Sequence, residues 1–245
     1  MLTIDFQYLH LEPGCRILDA GCGTGRHACE AFRFRGVNVV GIDLKKEHLS
    51  QARDCLCSIQ QEGNGSWMTA KADVIKLPFK DEVFDIVICS EVLEHIANGE
   101  SAVAELLRVL KPGKDLVVSV PSFLPERICW ALSAGYHREV GGHVRIYGKN
   151  ELKSLLERKG ASCWKIRYKH ALHAPYWWLK CIVGHKNDRS RLVNLYKKIL
   201  EWDIMTHAPL MSWLDKFLNP LIGKSIVFYL KKGCSYATAY SKKAR

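Results

Sequence analysis

The stretch that most constrains this chain is Ile17-Leu18-Asp19-Ala20-Gly21-Cys22-Gly23-Thr24-Gly25, an apolar run that ends in three glycines and leads into a helix-like segment from about Arg26. Glycine has no Cβ, so main chain in such a turn can approach a ligand closely, and the first N–H groups of the following helix point at it. A turn that binds a dinucleotide pyrophosphate is spaced G-x-G-x-x-G. Here the spacing is G-x-G-x-G, with Arg26 where the third glycine of that fingerprint would stand. The turn argues against NAD and for a ligand that lacks a pyrophosphate.

Short apolar runs recur around it. Arg16–Ala20, Val37–Asp43, Trp67–Ala72, Phe84–Ser90 and Leu116–Val120 read as strands. The second and fourth are nearly continuous apolar runs, as expected when both faces of a sheet are covered. Amphipathic stretches alternate with them, among them Glu47–Gln61 and Ser101–Leu110, in which Ala102, Leu106, Val109 and Leu110 share a face before Lys111-Pro112-Gly113 closes the helix. The alternation predicts an α/β fold, a doubly wound and mostly parallel sheet with its ligand at the carboxyl ends of the strands. A helix over Lys149–Lys159, capped by Asn150, and a strand over Ser162–Lys169 follow. The next strand, Lys224–Lys232, comes only after residues 170–223, too long a gap for a hairpin loop. That gap is predicted to hold helices near Pro175–Val183, Ser190–Asp203 and Pro209–Leu218, the last stopped by Asn219-Pro220. Residues 1–169 and 224–234 then make up a ligand-binding domain, and 170–223 a helical lid or docking insertion before the last strand.

Taken in order, these motifs resemble the class I S-adenosylmethionine-dependent methyltransferases, specifically the small-molecule enzymes with a D-x-G-C-G-T-G signature, including the quinone and ubiquinone types. The resemblance runs from about Cys15 to Gly113 and more loosely to Lys169. It implies a seven-stranded Rossmann-like sheet and S-adenosyl-L-methionine as cofactor. It places Gly21, Cys22, Gly23 and Gly25 under the methionine part of the cofactor, with Asp19 ordering the loop and the amino group. Asp43, which ends Val-Val-Gly-Ile-Asp, takes the ribose position with Leu44 beside it; a carboxylate can accept from both ribose hydroxyls. Ala72, Asp73 and Val74 match the adenine position, and Ser90 and Glu91, opening Ser90-Glu91-Val92-Leu93-Glu94-His95, the methionine end. Arg108–Gly113 also matches, except that Lys114 replaces a usual glycine, on the far side of the sheet from the site.

Methyl transfer from a sulfonium is an in-line displacement, so alignment in a dry pocket supplies most of the acceleration. With a hydroxyl acceptor, a neutral histidine near the leaving proton adds roughly 10²–10⁴-fold. The candidates are His143 in Gly141-Gly142-His143-Val144-Arg145-Ile146-Tyr147, which is similar to a segment of quinone-type O-methyltransferases, then His95, then His137 in the less patterned Ser133–Glu139. Each also reads as a structural histidine that fixes a loop or packs a helix. No Asn-Pro-Pro-Tyr motif follows the fourth strand, which speaks against amino-purine or glutamine N-methylation. The expected acceptor is small and lipophilic, methylated on oxygen or carbon.

The formal charge of +11 is unevenly spread, for residues 1–169 hold 23 lysines and arginines against 21 acids, and residues 170–245 hold 13 against 4. The same last third carries Trp177, Trp178, Trp202 and Trp213, and Tyr176-Trp177-Trp178-Leu179 beside Lys180 has the composition of an interfacial anchor, burial against the core being the alternative. Basic and aromatic together predict an anionic partner, either a membrane surface or nucleic acid. Two competing functions follow: an RNA methyltransferase, although no recognisable RNA-binding module accompanies the domain, and a non-catalytic scaffold, although the glycines and acids are intact. The start of the chain lacks a basic apolar leader and no run of 18 uncharged apolar residues occurs, which predicts a cytoplasmic protein, soluble or peripheral to a membrane. Ten cysteines without paired C-x-x-C spacing predict separate buried thiols and no metal site.

Overall fold

The computed structural model describes residues 2–60, 63–138, 141–187, 189–206 and 208–234. Strands β1 (Arg16–Ala20), β2 (Asn38–Asp43), β3 (Trp67–Lys71), β4 (Phe84–Ser90), β5 (Leu110–Pro121), β6 (Ala161–Lys169) and β7 (Ser225–Lys232) form one sheet in the order β3-β2-β1-β4-β5-β7-β6. β1 to β5 pair in parallel, and β7 runs antiparallel between β5 and β6. The order reverses between β1 and β4, which places a crevice at their carboxyl ends.

The continuous apolar runs have the reason expected, since both faces are covered. Ile17, Ile86, Ile88, Val117 and Val227 point to one side, where α1 (Arg26–Phe32) adds Ala28 and Phe32 and the N-terminal segment adds Ile4 and Phe6. Leu18, Val87, Cys89, Val118 and Phe228 point to the other, under α3 (Gly99–Val109) and α6 (Lys149–Arg158). The Asn98 side chain caps α3 by accepting the Ser101 N–H at 3.1 Å. At α6 the cap is Gly148 rather than Asn150, because the Glu151 carboxylate reaches back to the Gly148 N–H at 3.1 Å and Asn150 already lies within the first turn.

Helix α2 (Lys46–Cys57) packs beside α1, and the two bring Cys29 and Cys55 together with their Cα atoms 6.5 Å apart, within reach of a disulfide, where the sequence predicted separate thiols. Helices α4 (Phe123–Leu132) and α5 (Ala134–His137), the second within the less patterned Ser133–Glu139, follow β5. The insertion forms α7 (His173–Val183), α8 (Arg191–Thr206) and α9 (Pro209–Ile222). Asn219-Pro220 does not stop α9, which continues to Ile222. Pro220 has no N–H to give the Lys216 carbonyl, so one hydrogen bond of the last turn is missing. Asn219 is instead a buried tie: its Oδ1 accepts the Ala171 N–H at 3.0 Å and its Nδ2 donates to Asp215 at 3.0 Å. Trp178 Nε1 donates to the Pro125 carbonyl at 3.1 Å and joins α7 to α4.

Candidate functional site

The glycine turn sits at the carboxyl end of β1 and takes left-handed backbone at Gly21, Gly23 and Gly25, with φ of +77°, +53° and +86°. The three do different work. A Cβ on Gly21 would run into the Val92 side chain, and one on Gly25 would lie 2.9 Å from the Ala52 Cβ, so both are required by close packing. A Cβ on Gly23 would meet nothing within 4 Å, which leaves open space over the middle of the loop.

Two acids hold this loop. Asp19 is buried; its Oδ2 accepts the Ala28 N–H at 2.9 Å, and its Oδ1 has no hydrogen-bond partner among the described residues. Burial raises the Asp19 carboxyl to about 7, against the lowering by the Ala28 N–H and the Arg26 charge, while Asp43 adds to the rise. Asp43, at the end of β2, accepts the Gly23 N–H at 2.9 Å on Oδ2 and the Lys45 N–H at 2.8 Å on Oδ1, tying the two strand ends together. Each carboxylate oxygen keeps a further lone pair for a ligand hydroxyl. The N–H groups of Gly21 and Cys22 both donate to the Ile42 carbonyl at 2.8 Å. The Cys22 side chain packs with Leu49 and Ala52, so its contribution to the site is main chain.

Along the rim Leu44 is exposed beside Asp43. Ala72 donates its N–H to the Asp43 carbonyl at 3.3 Å, and Asp73 Oδ1 accepts the Ile75 N–H at 3.1 Å. The Val74 side chain turns into the core, so what it can offer at this edge is main chain. At the opposite end Ser90 Oγ lies 2.8 Å from Ser119 Oγ, which donates to Glu91 Oε1 at 3.1 Å. Glu91 has a φ of +56°, an uncommon backbone for a non-glycine residue, fixed by its N–H bond of 2.9 Å to the Ser119 carbonyl. Burial raises the Glu91 carboxyl, and the Lys224 charge and Ser119 act against that rise.

Two of the three candidate histidines come together next to this end. The rings of His95 and His143 are 5.0 Å apart, fixed by the loop that carries His143: the Val144 N–H donates to the Glu94 carbonyl at 2.9 Å and Arg145 donates to the Ala97 carbonyl at 2.6 Å. His143 Nδ1 lies 2.6 Å from Glu126 Oε1. Burial raises the Glu126 carboxyl, yet the His143 hydrogen bond and the Lys224 charge outweigh it and hold the group below its ordinary value. Burial lowers the His95 pKa, and His143 lowers it further against a raising contribution from the Gly142 carbonyl. His137 does not join them; it is exposed and stacks on Trp130 at 3.9 Å. The sequence did not single out Glu126 on α4 or Lys224 ahead of β7, whose Nζ is 3.9 Å from Glu126 Oε2. Nor did it assign a role to Glu94, although a glutamate between two apolar residues and a histidine was a visible signal.

A sheet of this order, with a glycine turn after its first strand and an acid closing its second, is the fold of the class I S-adenosylmethionine-dependent methyltransferases. Residues 18–118 match the family described as a methyltransferase domain. Among curated relatives, the chain is 30% identical over 142 residues to sterol 24-C-methyltransferase erg6 of Schizosaccharomyces pombe, covering 56% of this chain and 35% of that one. It is 36% identical over 124 residues to a ubiquinone biosynthesis O-methyltransferase of Hahella chejuensis, covering 49% of each. The chain thus spans about half or less of the length of these relatives. Among solved structures, a SAM-dependent methyltransferase from Methanosarcina mazei superposes with a TM-score of 0.60 at 17% identity, covering 94% of this chain and 97% of that one. The [4+2]-cyclase SpnF superposes with 0.59 at 20% identity, covering 94% and 79%. The likeness to a cyclase shows that the fold alone does not name a reaction.

S-adenosylmethionine is the cofactor of this class, and the residues present fit it. The space over Gly23 admits a ligand against main chain, and the partnerless Oδ1 of buried Asp19 is an acceptor suited to an ammonium group. Asp43 stands at a strand end with lone pairs for two vicinal hydroxyls.

Proposed function

We propose that the protein uses S-adenosylmethionine to methylate a small, lipophilic acceptor on oxygen or carbon. The observation that carries this reading is the polar centre of Glu91, Glu94, His95, Glu126 and His143, which adjoins the glycine turn through the packing of Val92 on Gly21. The glycine turn, Asp19 and Asp43 hold the cofactor. The histidine pair then meets an acceptor hydroxyl with ring lone pairs, and the Glu126 contact keeps His143 in one tautomer. The acceptor's oxygen or carbon forms the new bond to methyl as the carbon–sulfur bond breaks, and the electron pair of that bond stays on sulfur. The curated relatives named for sterol and ubiquinone substrates favour a lipophilic acceptor. The test is transfer of labelled methyl from the cofactor into phenol, quinol, sterol and RNA fractions. Label in a lipophilic fraction supports the reading; label in RNA alone favours an RNA methyltransferase, and no label with intact cofactor binding favours a scaffold.

We infer further that the insertion docks on an anionic membrane surface. Trp177 and Trp178 are half-buried against the domain, so the anchor predicted from composition is not the exposed one. The exposed apolar side chains lie instead on α8, with Leu195 and Trp202, and on α9, with Leu210, Trp213 and Phe217, beside lysines such as Lys197, Lys198 and Lys216. Rings next to cations suit a headgroup boundary. Among the described residues no helix is long and apolar enough to cross a membrane. Cosedimentation with anionic but not neutral vesicles, weakened by salt and by Trp202→Ser/Trp213→Ser, is expected. Equal retention of the variant, or competition by RNA, would contradict it.

A further inference from the structure

We propose that Glu94, His95 and His143 form a binding site for a divalent first-row transition metal ion of the zinc or manganese kind. One ligand atom from each of the three lies within 4.8 Å of the others. Donors held at about 2.0–2.2 Å from a shared zinc ion stand roughly 3.3 Å apart, so closing the site takes about 1 Å of side-chain movement.

The surroundings of the histidines point the same way. A carbonyl or carboxylate oxygen can only accept, so the contact of His95 Nδ1 with the Gly142 carbonyl at 3.1 Å and that of His143 Nδ1 with Glu126 at 2.6 Å make both Nδ1 atoms donors. Each ring therefore keeps its lone pair on Nε2. Metal-binding histidines are held in this way, with the second nitrogen donating to a carbonyl or carboxylate that fixes ring and tautomer. His95 Nε2 faces Glu94 Oε1 at 4.0 Å.

Glu94 supplies the independent observation. It is 1% exposed, and neither carboxylate oxygen has a hydrogen-bond partner among the described residues. A buried carboxylate without donors is costly, and a bound cation removes the cost. Two imidazoles and one carboxylate suit zinc, manganese, iron or cobalt; magnesium and calcium favour oxygen ligands alone. Three protein ligands also leave positions open, the arrangement of a catalytic ion and not of a structural one.

Such an ion takes up the Nε2 lone pairs that would otherwise face the acceptor's proton, and it makes an acceptor hydroxyl easier to ionise by drawing on its oxygen. The proton leaves to solvent, the oxygen takes the methyl group, and the carbon–sulfur pair remains on sulfur. That role rests on the methyl-transfer reading. Binding of the ion does not, and titration of S-adenosylmethionine into the same preparation tells the two failures apart.

The experiment uses the full chain, stripped with chelator and then dialysed against Zn²⁺ or Co²⁺. We expect about one ion per chain, a melting temperature raised by Zn²⁺, and Co²⁺ visible bands without thiolate charge transfer. Glu94→Gln and His143→Asn should each weaken Zn²⁺ binding by about 10–100-fold, and His10→Asn, remote from the cluster, should not. His95 is exposed, so His95→Asn keeps the fold and carries the same expectation if Glu94→Gln unfolds. No retained ion, thiolate bands from the cysteines, or unchanged affinity in the Glu94 and His95 variants would overturn the site.

Discussion

His143 Nδ1 and Glu126 Oε1 stand 2.6 Å apart, and this contact joins the loop before α6 to the first turn of α4. It fixes which nitrogen of His143 carries the proton and directs Nε2 away from Glu126. His143→Ala is expected to lower turnover by roughly 10²-fold or more while cofactor affinity changes little. Glu126→Gln should cost less, about tenfold, because an amide oxygen can still accept from Nδ1–H. Parallel rate and calorimetric measurements check both. A His143→Ala protein with normal turnover and lowered melting temperature would make that histidine structural.

If Asp19 meets the cofactor's ammonium group as proposed, it links cofactor binding to pH. Its carboxyl, raised by burial to about 7 from an ordinary 3.8, is largely protonated below neutrality in the folded protein, whereas a bound ammonium favours the ionised form. Affinity for S-adenosylmethionine should therefore rise with pH by up to about tenfold per unit between pH 5.5 and 7, with proton release on binding. The unfolded chain ionises near 3.8 and the folded one near 7, so this group lowers stability as pH rises through that window. Asp19→Asn should then melt higher than wild type at pH 7.5, by about 1–3 kcal/mol of added stability, while it binds cofactor less tightly and without the pH slope. Identical slopes in the two proteins would refute the assignment.

His27 acts in the opposite sense on stability. Burial, helped by the Arg26 charge, holds its pKa down to about 3, and its Nε2 accepts the Thr3 N–H at 3.3 Å. The unfolded chain takes up a proton near 6.5 and the folded one does not, so this contribution is whole above pH 6.5 and is lost as pH falls toward 3. Relative to His27→Gln, wild type should lose on the order of 2–3 kcal/mol more stability between pH 6.5 and 4, as read by denaturant unfolding. Equal losses would contradict the buried neutral imidazole.

The placement of the glycine turn and its acids was legible because they are contiguous with strands: Asp19 to Gly25 at the end of one strand, Asp43 at the end of the next. The polar centre was only half legible. His95 and His143 were visible as residues, but Glu126 and Lys224 reach the cluster from separate elements, and only the packing of α4 and β7 on the sheet brings them in. Composition points to the basic, tryptophan-rich insertion but not to which face of each helix meets the domain, so it does not separate the half-buried Trp177 and Trp178 from the exposed Trp202 and Trp213. Asn219-Pro220 misled because proline disfavours a helix without forbidding it, and the buried ties of Asn219 hold the last turn of α9 in place.

The glycines separate packing from binding. Gly21→Ala should destabilise the fold by about 2–3 kcal/mol through its collision with Val92 and its left-handed backbone. Gly23→Ala should cost about 1 kcal/mol for the backbone alone, since nothing lies within 4 Å of its Cβ. Denaturant midpoints for the two variants check the contrast, and equal destabilisation would contradict it.

The central claim is that S-adenosylmethionine binds in the space over Gly23 with Asp43 beneath its ribose, and calorimetric titration of wild type, Gly23→Val and Asp43→Ala tests it most directly. The expected result is a single site in wild type, no measurable binding in folded Gly23→Val, and a loss of about 1.5–3 kcal/mol in Asp43→Ala. Binding of equal strength in all three proteins, or none in wild type, would contradict the account.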